Sequence, residues 1–371
     1  MVTHHSDSTY FFGGVLKMII FSPGLANISQ RVRDALTLPD ICHRDSEFSE
    51  LLTDIKRLIT RVVGVEEDSH EVVLFSGSGT LVMESLLACL TGWDKTLLIV
   101  SNGIYGERAF TISYTLGIKA GIMGLGWGEP VDLGKIEEVV RKPEIGRVYL
   151  VHHETTTGLL NPLMEVSQLA KCHNKMVLAD TISSLGGENL SFDWGLDGIL
   201  GSANKCLRGI PGVSFIIISK AFLSIARRRI RHTYYSDLVT HIDREAGGET
   251  PFTPAIQVLF ALKEALKELL EEGVENRIAH YRNISQLLRR GLKELGLKLF
   301  LPEELYSNTM TSVYLPPGIS YQELHDALKE EGFVIYNSQR YLQEKVFMLG
   351  TVGVISERDI QDFLEVLGGK I

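Results

Sequence analysis

Short, unbroken apolar runs alternate along the first two-thirds of the chain with stretches whose apolar residues recur every third or fourth position. The runs are VVLFSGSG (72–79), TLLIVSNG (96–103), VYLVHHE (148–154), MVLAD (176–180), GILGS (198–202) and VSFIII (213–218). A strand with one wet face would alternate, so apolar runs of about four to six residues suit strands covered on both faces. Between them, LVMESLLACL (81–90) and LMEVSQLAKCHN (163–174) carry helical spacing. The alternation predicts a large α/β domain over residues 26–255, doubly wound around a mostly parallel sheet. In such sheets ligands bind beyond the carboxyl ends of the strands.

After Pro254 the pattern changes. AIQVLFALKEALKELLEEG (255–273) is a strong helix with opposite charges three or four apart, and a second helix follows over about 275–295. LKLFL (297–301), TSVYLP (311–316), FVIY (333–336) and VFMLG (346–350) read as strands, with helices over 321–331 and SERDIQDFLEVLG (356–368). Residues 256–371 are therefore expected to form a smaller α+β domain. Residues 1–25 form an N-terminal arm: regular patterning begins only near Met18, which makes Met18 a candidate start and 1–17 an optional arm, or else an arm ordered on a partner subunit.

Composition narrows the class of protein. The chain has 371 residues, 44% hydrophobic and 22% charged, which is ordinary globular usage and excludes a disordered chain. With 37 basic and 46 acidic residues the formal charge is −9, which argues against broad nucleic-acid binding; the basic string ARRRIRH (226–232) reads as a solvated helix face or an interface. Cys42, Cys89, Cys172 and Cys206 form no CxxC pair and read as reduced thiols in a cytoplasmic protein. The apolar runs are too short to span a membrane, and the N-terminus lacks a secretory pattern. His152 and His153 have no metal-ligand spacing, so no metal is expected.

Four features fall at predicted strand ends. Ser76-Gly77-Ser78-Gly79-Thr80 lies between a strand and a helix, where backbone N–H groups can approach a phosphate; a tight turn alone needs the same residues. Tyr105 follows the next strand and offers a ring for stacking, although many tyrosines simply fill a core. Asp180 closes MVLAD, where it is either a turn residue or the counter-ion of a cationic ring nitrogen. Lys205 in SANKC is either a surface lysine or a buried amine with a lowered pKa, fit for imine chemistry. Taken together, a phosphate cradle, a stacking ring, a carboxylate and an amine are the parts that hold pyridoxal phosphate.

VHHETTTGLLNP (151–162), LADTISSLGG (178–187) and GSANKCLRGIPGVSF (201–215), with FSGSGT, SNGIYGER and EEGFVIY, resemble the class V, alanine–glyoxylate aminotransferase-like family. Within it, ETTTG and SANKC point to the branch that transfers the amino group of 2-aminoethylphosphonate to pyruvate, giving phosphonoacetaldehyde and L-alanine. The resemblance implies fold type I, dependence on pyridoxal 5'-phosphate, and a homodimer with shared active sites. It implies that Lys205 binds the cofactor covalently and shuttles a proton, and that Asp180 pairs with the ring nitrogen. Ser78, Gly79 and Thr80 would hold the phosphate, Tyr105 and Ile182 would flank the ring, and Thr155 would lie near the ring hydroxyl. Asn204 precedes the lysine as in relatives, and Thr253 resembles a residue that reaches the neighbouring subunit's phosphate.

One departure concerns the substrate. Relatives carry an arginine that clamps a carboxylate where this chain has Met348, in FMLG. A thioether cannot replace a bidentate arginine–carboxylate pair. Arg340 and Arg44, ahead of Arg208, are the candidate substitutes, and a substitute at Arg340 would make Arg340→Ala raise KM for the acidic substrate. The alternatives are an alanine– or serine–glyoxylate aminotransferase, a pyridoxal-phosphate lyase on a related amine, and a non-catalytic binding module, which intact Lys205 and Asp180 disfavour.

Overall fold

The computed structural model describes residues 18–66, 68–228 and 231–371. The arm at 1–17 and the middle of the basic string at 226–232 lie outside the described residues. Among the described residues, seven strands build the main sheet: β1 (His70–Ser76), β2 (Thr96–Ser101), β3 (Ala120–Gly124), β4 (Ile145–Val151), β5 (Met176–Asp180), β6 (Gly198–Ser202) and β7 (Val213–Ser219). Their order is β1-β7-β6-β5-β4-β2-β3. β7 runs antiparallel to both neighbours, and the other pairs are parallel.

The unbroken apolar runs have the expected cause. Val72, Leu74, Leu98, Val100, Val148 and Leu150 enter the core on one face, while their chain neighbours Val73, Phe75, Leu97, Ile99 and Tyr149 enter a second core on the other. Each such side chain contributes roughly 1.5–3 kcal/mol on burial, so both faces hold the sheet. β3 was not marked by an apolar run. It is an edge strand, AGIMG, whose residues are half-buried or exposed, so nothing forced it to be apolar.

Helices cover both faces. α1 (Ser46–Val63) buries Phe48, Leu51, Leu52, Ile55, Ile59 and Val62 along one stripe and stops at Gly64, whose φ of 67° suits glycine. α2 (Gly79–Ala88), α3 (Ile104–Thr115) and α4 (Leu163–Cys172) each follow a sheet strand. α5 (Ile256–Glu272) packs on α1, and its Leu259, Leu262, Leu266 and Leu269 join the sheet's core. That helix lies within the stretch 256–371, yet its packing is with the large sheet. α6 (Val274–Glu294) then carries Ile284, Leu288 and Leu292 into a separate C-terminal core.

That core sits under β8 (Met310–Tyr314), β9 (Tyr336–Asn337) and β10 (Val346–Gly350), in the order β8-β10-β9, with α7 (Tyr321–Glu330) and α8 (Glu357–Gly368). FVIY divides between two sheets: Phe333–Val334 pairs with Ile19–Ile20 in parallel, and Tyr336–Asn337 with β10. Phe21 lies 4.5 Å from the Phe363 ring, so the first described residues pack on the C-terminal core. LKLFL does not form a regular strand; it retains one bridge, Leu299 to Val313, and the Leu301 N–H turns to the Tyr306 hydroxyl.

Candidate active site

The carboxyl ends of β1, β4, β5 and β6 meet at a cavity of about 420 Å³. Ser78, Gly79, Thr80, Tyr105, Asp180, Ile182, Asn204 and Lys205 all line it. These eight residues span 127 positions of sequence (205 − 78) and come together because the parallel strands end at one edge.

The turn after β1 is tied down from β7. Gly77 donates to the Gly212 carbonyl at 2.8 Å, and Ser214 Oγ donates to the Gly77 carbonyl at 3.0 Å. Gly79 is needed for close approach: a Cβ there would stand 2.7 Å from Ile182 Cδ1. Ser78 occupies the N-cap position of α2, but its side chain does not cap the helix. A cation completes this end of the cavity. Arg108 on α3 donates to Thr80 Oγ1 at 3.1 Å and lies 4.7 Å from the Tyr105 ring centroid. Sequence reasoning passed over Arg108, although SNGIYGER places it three residues beyond Tyr105, on the same helix face.

Lys205 is 9% exposed, and its Nζ donates to the Pro23 carbonyl. Burial brings its pKa down to about 8, so a neutral amine is accessible near physiological pH. Asp180 is 4% exposed and its Oδ1 accepts from the Ile182 N–H at 3.0 Å. Burial pushes this carboxyl up to about 6, against the pull of the Ile182 amide, Lys205 and Arg108. A further cation beside Asp180 would restore its charge. Asn204 is fixed between Ser202 Oγ, which donates to its Oδ1 at 2.6 Å, and the Gly24 carbonyl, to which its Nδ2 donates.

His153 also lines the cavity, but it is not a base. Its Nδ1 faces the Ser183 carbonyl at 3.2 Å and so carries the hydrogen, which leaves Nε2 to accept from Ser307 Oγ at 2.8 Å. Burial lowers its pKa to about 3, and the neutral ring serves as a link to the C-terminal part of the chain. Cys206, beside the lysine, is buried, donates to the Ser183 carbonyl and has its thiol pushed up to about 12, so it is inert.

Five of the candidate residues, Thr155, Thr253, Arg44, Arg340 and Arg208, do not line the cavity. Thr155 is buried and hydrogen-bonds to the Tyr105 side chain. Thr253 is exposed, at the rim of a small separate pocket with Phe252 and Ser76. Arg44 pairs with Glu249 at 2.6 Å and reaches the Thr250 carbonyl. Arg340 pairs with Glu107 and lies 5.6 Å from the Trp127 ring centroid. Arg208 is buried on Tyr281 and Glu272. Met348 is 1% exposed between Phe347 and Leu349 on β10; those two enter the C-terminal core and Met348 points the opposite way.

The donor set fits pyridoxal phosphate: hydroxyl, glycine and guanidinium groups at the α2 start, an aromatic ring, a buried carboxylate and a buried amine, in a cavity of suitable size. Among the described residues, no group of three or more His, Cys, Asp or Glu is arranged to hold a metal, and no helix is long and apolar enough to cross a membrane.

Comparison with known proteins agrees with this chemistry. The family model "Aminotransferase class-V" matches residues 28–340. A 2-aminoethylphosphonate–pyruvate transaminase of Bacillus cytotoxicus is 33% identical over 355 residues, covering 94% of this chain and 96% of that protein. One from Klebsiella pneumoniae is 33% identical over 356 residues, covering 94% and 96%. Among solved structures, an alanine–glyoxylate aminotransferase from Nostoc superposes with a TM-score of 0.89 at 26% identity, covering 96% of this chain and 95% of that one.

Proposed function

The chain belongs to the class V aminotransferases, a family of pyridoxal-phosphate-dependent enzymes, and from that premise we propose that it transfers the amino group of 2-aminoethylphosphonate to pyruvate. The products are phosphonoacetaldehyde and L-alanine. The observation that carries the reaction class is the meeting of Lys205 and Asp180 in one buried cavity with the Ser78–Thr80 turn. The substrate pair is supported by the two curated transaminases, each alike over nearly the full chain.

Bound pyridoxal phosphate supplies an electrophilic carbon and a ring that takes up electron density from the substrate. The chain's own residues do the rest. Ser78, Gly79 and Thr80 hold the phosphate with Arg108, whose charge offsets the dianion. Asp180 holds the proton on the ring nitrogen; a cation there returns its own carboxyl to the charged form. Tyr105 and Ile182 confine the ring between them. Lys205 Nζ, whose pKa burial brings down to about 8 so that its neutral form is accessible, would take the proton from the amino-bearing carbon of the substrate and deliver it to the cofactor's aldehyde carbon on the other side of the amino nitrogen. Burial of both groups excludes water from that transfer.

The working form is a cytoplasmic homodimer in this reading, with exposed Thr253 presented to the neighbouring copy's phosphate turn. Sedimentation at micromolar concentration tests the dimer; a stable monomer with full activity overturns it. For the reaction, the loaded protein is mixed with 2-aminoethylphosphonate alone and the visible absorbance of the lysine-bound cofactor is followed. Its loss, and its return on adding pyruvate, is the expected result. A band that persists with the phosphonate but disappears with alanine or serine would transfer the assignment to a glyoxylate-type donor.

A further inference from the structure

α3 carries Tyr105 and Arg108 into the cavity, yet it begins without a cap of its own. Its N-cap residue is Gly103, which has no side chain to offer the first N–H groups. Those groups are met from another part of the chain. The Tyr105 N–H donates to Glu154 Oε2 at 3.2 Å, the Gly106 amide also bonds the Glu154 carboxylate, and the Ile104 N–H donates to Thr156 Oγ1 at 2.9 Å. Thr156 in turn donates to Glu154 Oε1 through its amide at 3.1 Å and its hydroxyl at 2.5 Å. Glu154 is fully buried. The fit is close enough to dictate the glycine: a Cβ on Gly103 would stand 2.3 Å from both Cγ and Cδ of Glu154.

We propose that Glu154 is a positioning residue of the site, capping α3 from the turn after β4 and so fixing where Tyr105 and Arg108 stand against Asp180 and Lys205. The inference rests on the reading of the cavity as a pyridoxal phosphate site. A buried carboxylate needs donors, and a helix start is a cluster of donors at the positive end of a dipole. Burial pushes the Glu154 carboxyl up to about 7, with the Thr156 hydroxyl and amide drawing it back down. Neither oxygen is spare: Oε1 serves Thr156 and Oε2 serves Tyr105. The cap therefore ties the start of α3 to the segment that follows β4, whose next residue, Thr155, bonds the Tyr105 side chain. Backbone and ring of Tyr105 are thus held from the same short turn.

The test compares wild type with Glu154→Ala and Glu154→Gln. In the cofactor-free proteins, hydrogen exchange of the amides at 104–107 is measured; in the loaded proteins, the visible circular dichroism of the bound cofactor and its dissociation constant. The alanine variant is expected to speed exchange of the Tyr105 and Gly106 amides by about tenfold or more and to weaken cofactor binding by about tenfold, with a reduced dichroic band. Glutamine keeps one acceptor and turns an N–H₂ toward the other donor, so it is expected to fall between the two. A structural role unconnected with the ring would leave the band shape of the loaded variants unchanged, and that result, or unchanged amide exchange in Glu154→Ala, overturns the inference. Should the alanine variant fail to fold, the same readouts on glutamine decide. Should wild type itself bind no pyridoxal phosphate, the proposed function fails, while amide exchange still decides whether Glu154 caps α3.

Discussion

Lys205 Nζ donates its hydrogen bond to the carbonyl oxygen of Pro23, a residue 182 positions earlier in the chain. The loop that offers this carbonyl is closed by one side chain. Asn27 Oδ1 accepts from the Ile20 N–H at 3.0 Å, and its Nδ2 donates to the Ile20 carbonyl at 2.9 Å and the Val352 carbonyl at 3.2 Å. Asn27 thus clasps residues 20–27 into a loop whose tip reaches the lysine, and joins that loop to the segment after β10.

Asn27→Ala removes all three bonds at a part-buried site, a loss of about 1–3 kcal/mol. Hydrogen exchange over residues 20–27 should accelerate in the variant by about tenfold or more, and cofactor release, followed by dialysis and absorbance, should speed by a similar factor. Release at the wild-type rate would mean that the loop does not bear on Lys205 in the loaded protein.

Lys205 and Asp180 are expected to separate in their effects. Lys205→Ala removes both the covalent link and the proton carrier, so the half-reaction with 2-aminoethylphosphonate should slow by about 10²–10⁴ even with cofactor at saturation. Asp180→Asn keeps the shape and the hydrogen-bond acceptor but loses the charge opposite the ring nitrogen. That loss is worth about 1.5–3 kcal/mol, a fall of about 10- to 100-fold in rate, with Lys205 still able to form its visible band. Stopped-flow traces of the two variants distinguish these outcomes.

Asp180 also predicts how cofactor-free stability responds to pH. Its carboxyl titrates at about 6 in the folded chain against an ordinary value of 3.8, so between those values the native protein holds a proton that the unfolded chain releases. The stability it contributes is complete below the ordinary value and is lost as pH rises through 6. Above that, burying the charge costs roughly 3 kcal/mol. Asparagine carries no charge at any pH. Asp180→Asn should therefore match wild type in urea denaturation near about pH 4 and exceed it by roughly 3 kcal/mol near about pH 8. A difference that does not grow with pH would mean that Asp180 is solvated or already paired.

The sequence shows the strands and the chemistry far better than the supports. Buried strands such as β4 and β5 are legible because two cores require apolar residues at consecutive positions, Val148–Val151 and Met176–Ala179, whereas β3, wet and at the edge, carries no such mark. The cavity residues were legible because a parallel sheet gathers its strand ends, so Thr80, Asp180 and Lys205 converge without any local signal linking them. What the sequence hides is pairing at a distance. The helical spacing of α5 shows an amphipathic helix but not that its apolar stripe meets α1, which begins 210 positions earlier (256 − 46). Glu154 looks like one more residue of ETTTG until the backbone of α3 arrives beside it, and Arg340 looks available until Glu107 does.

That last pair leads to a comparison of two arginines. Arg340 is more than half exposed at the side chain and its partner Glu107 is about one-third exposed, so the ion pair is screened and worth about 0–1 kcal/mol. To reach an anion in the cavity it must leave Glu107 and the Trp127 face. Arg108 already lines the cavity, on Thr80. Arg108→Ala should therefore weaken cofactor binding by about 10- to 100-fold, the loss of a charge-assisted contact. Arg340→Ala should leave cofactor affinity unchanged and shift KM for the anionic substrates by less than about fivefold. A steep rise in KM for pyruvate in Arg340→Ala, with kcat intact, would show instead that Arg340 exchanges Glu107 for the substrate carboxylate, and would make it the cation that replaces the arginine missing at position 348.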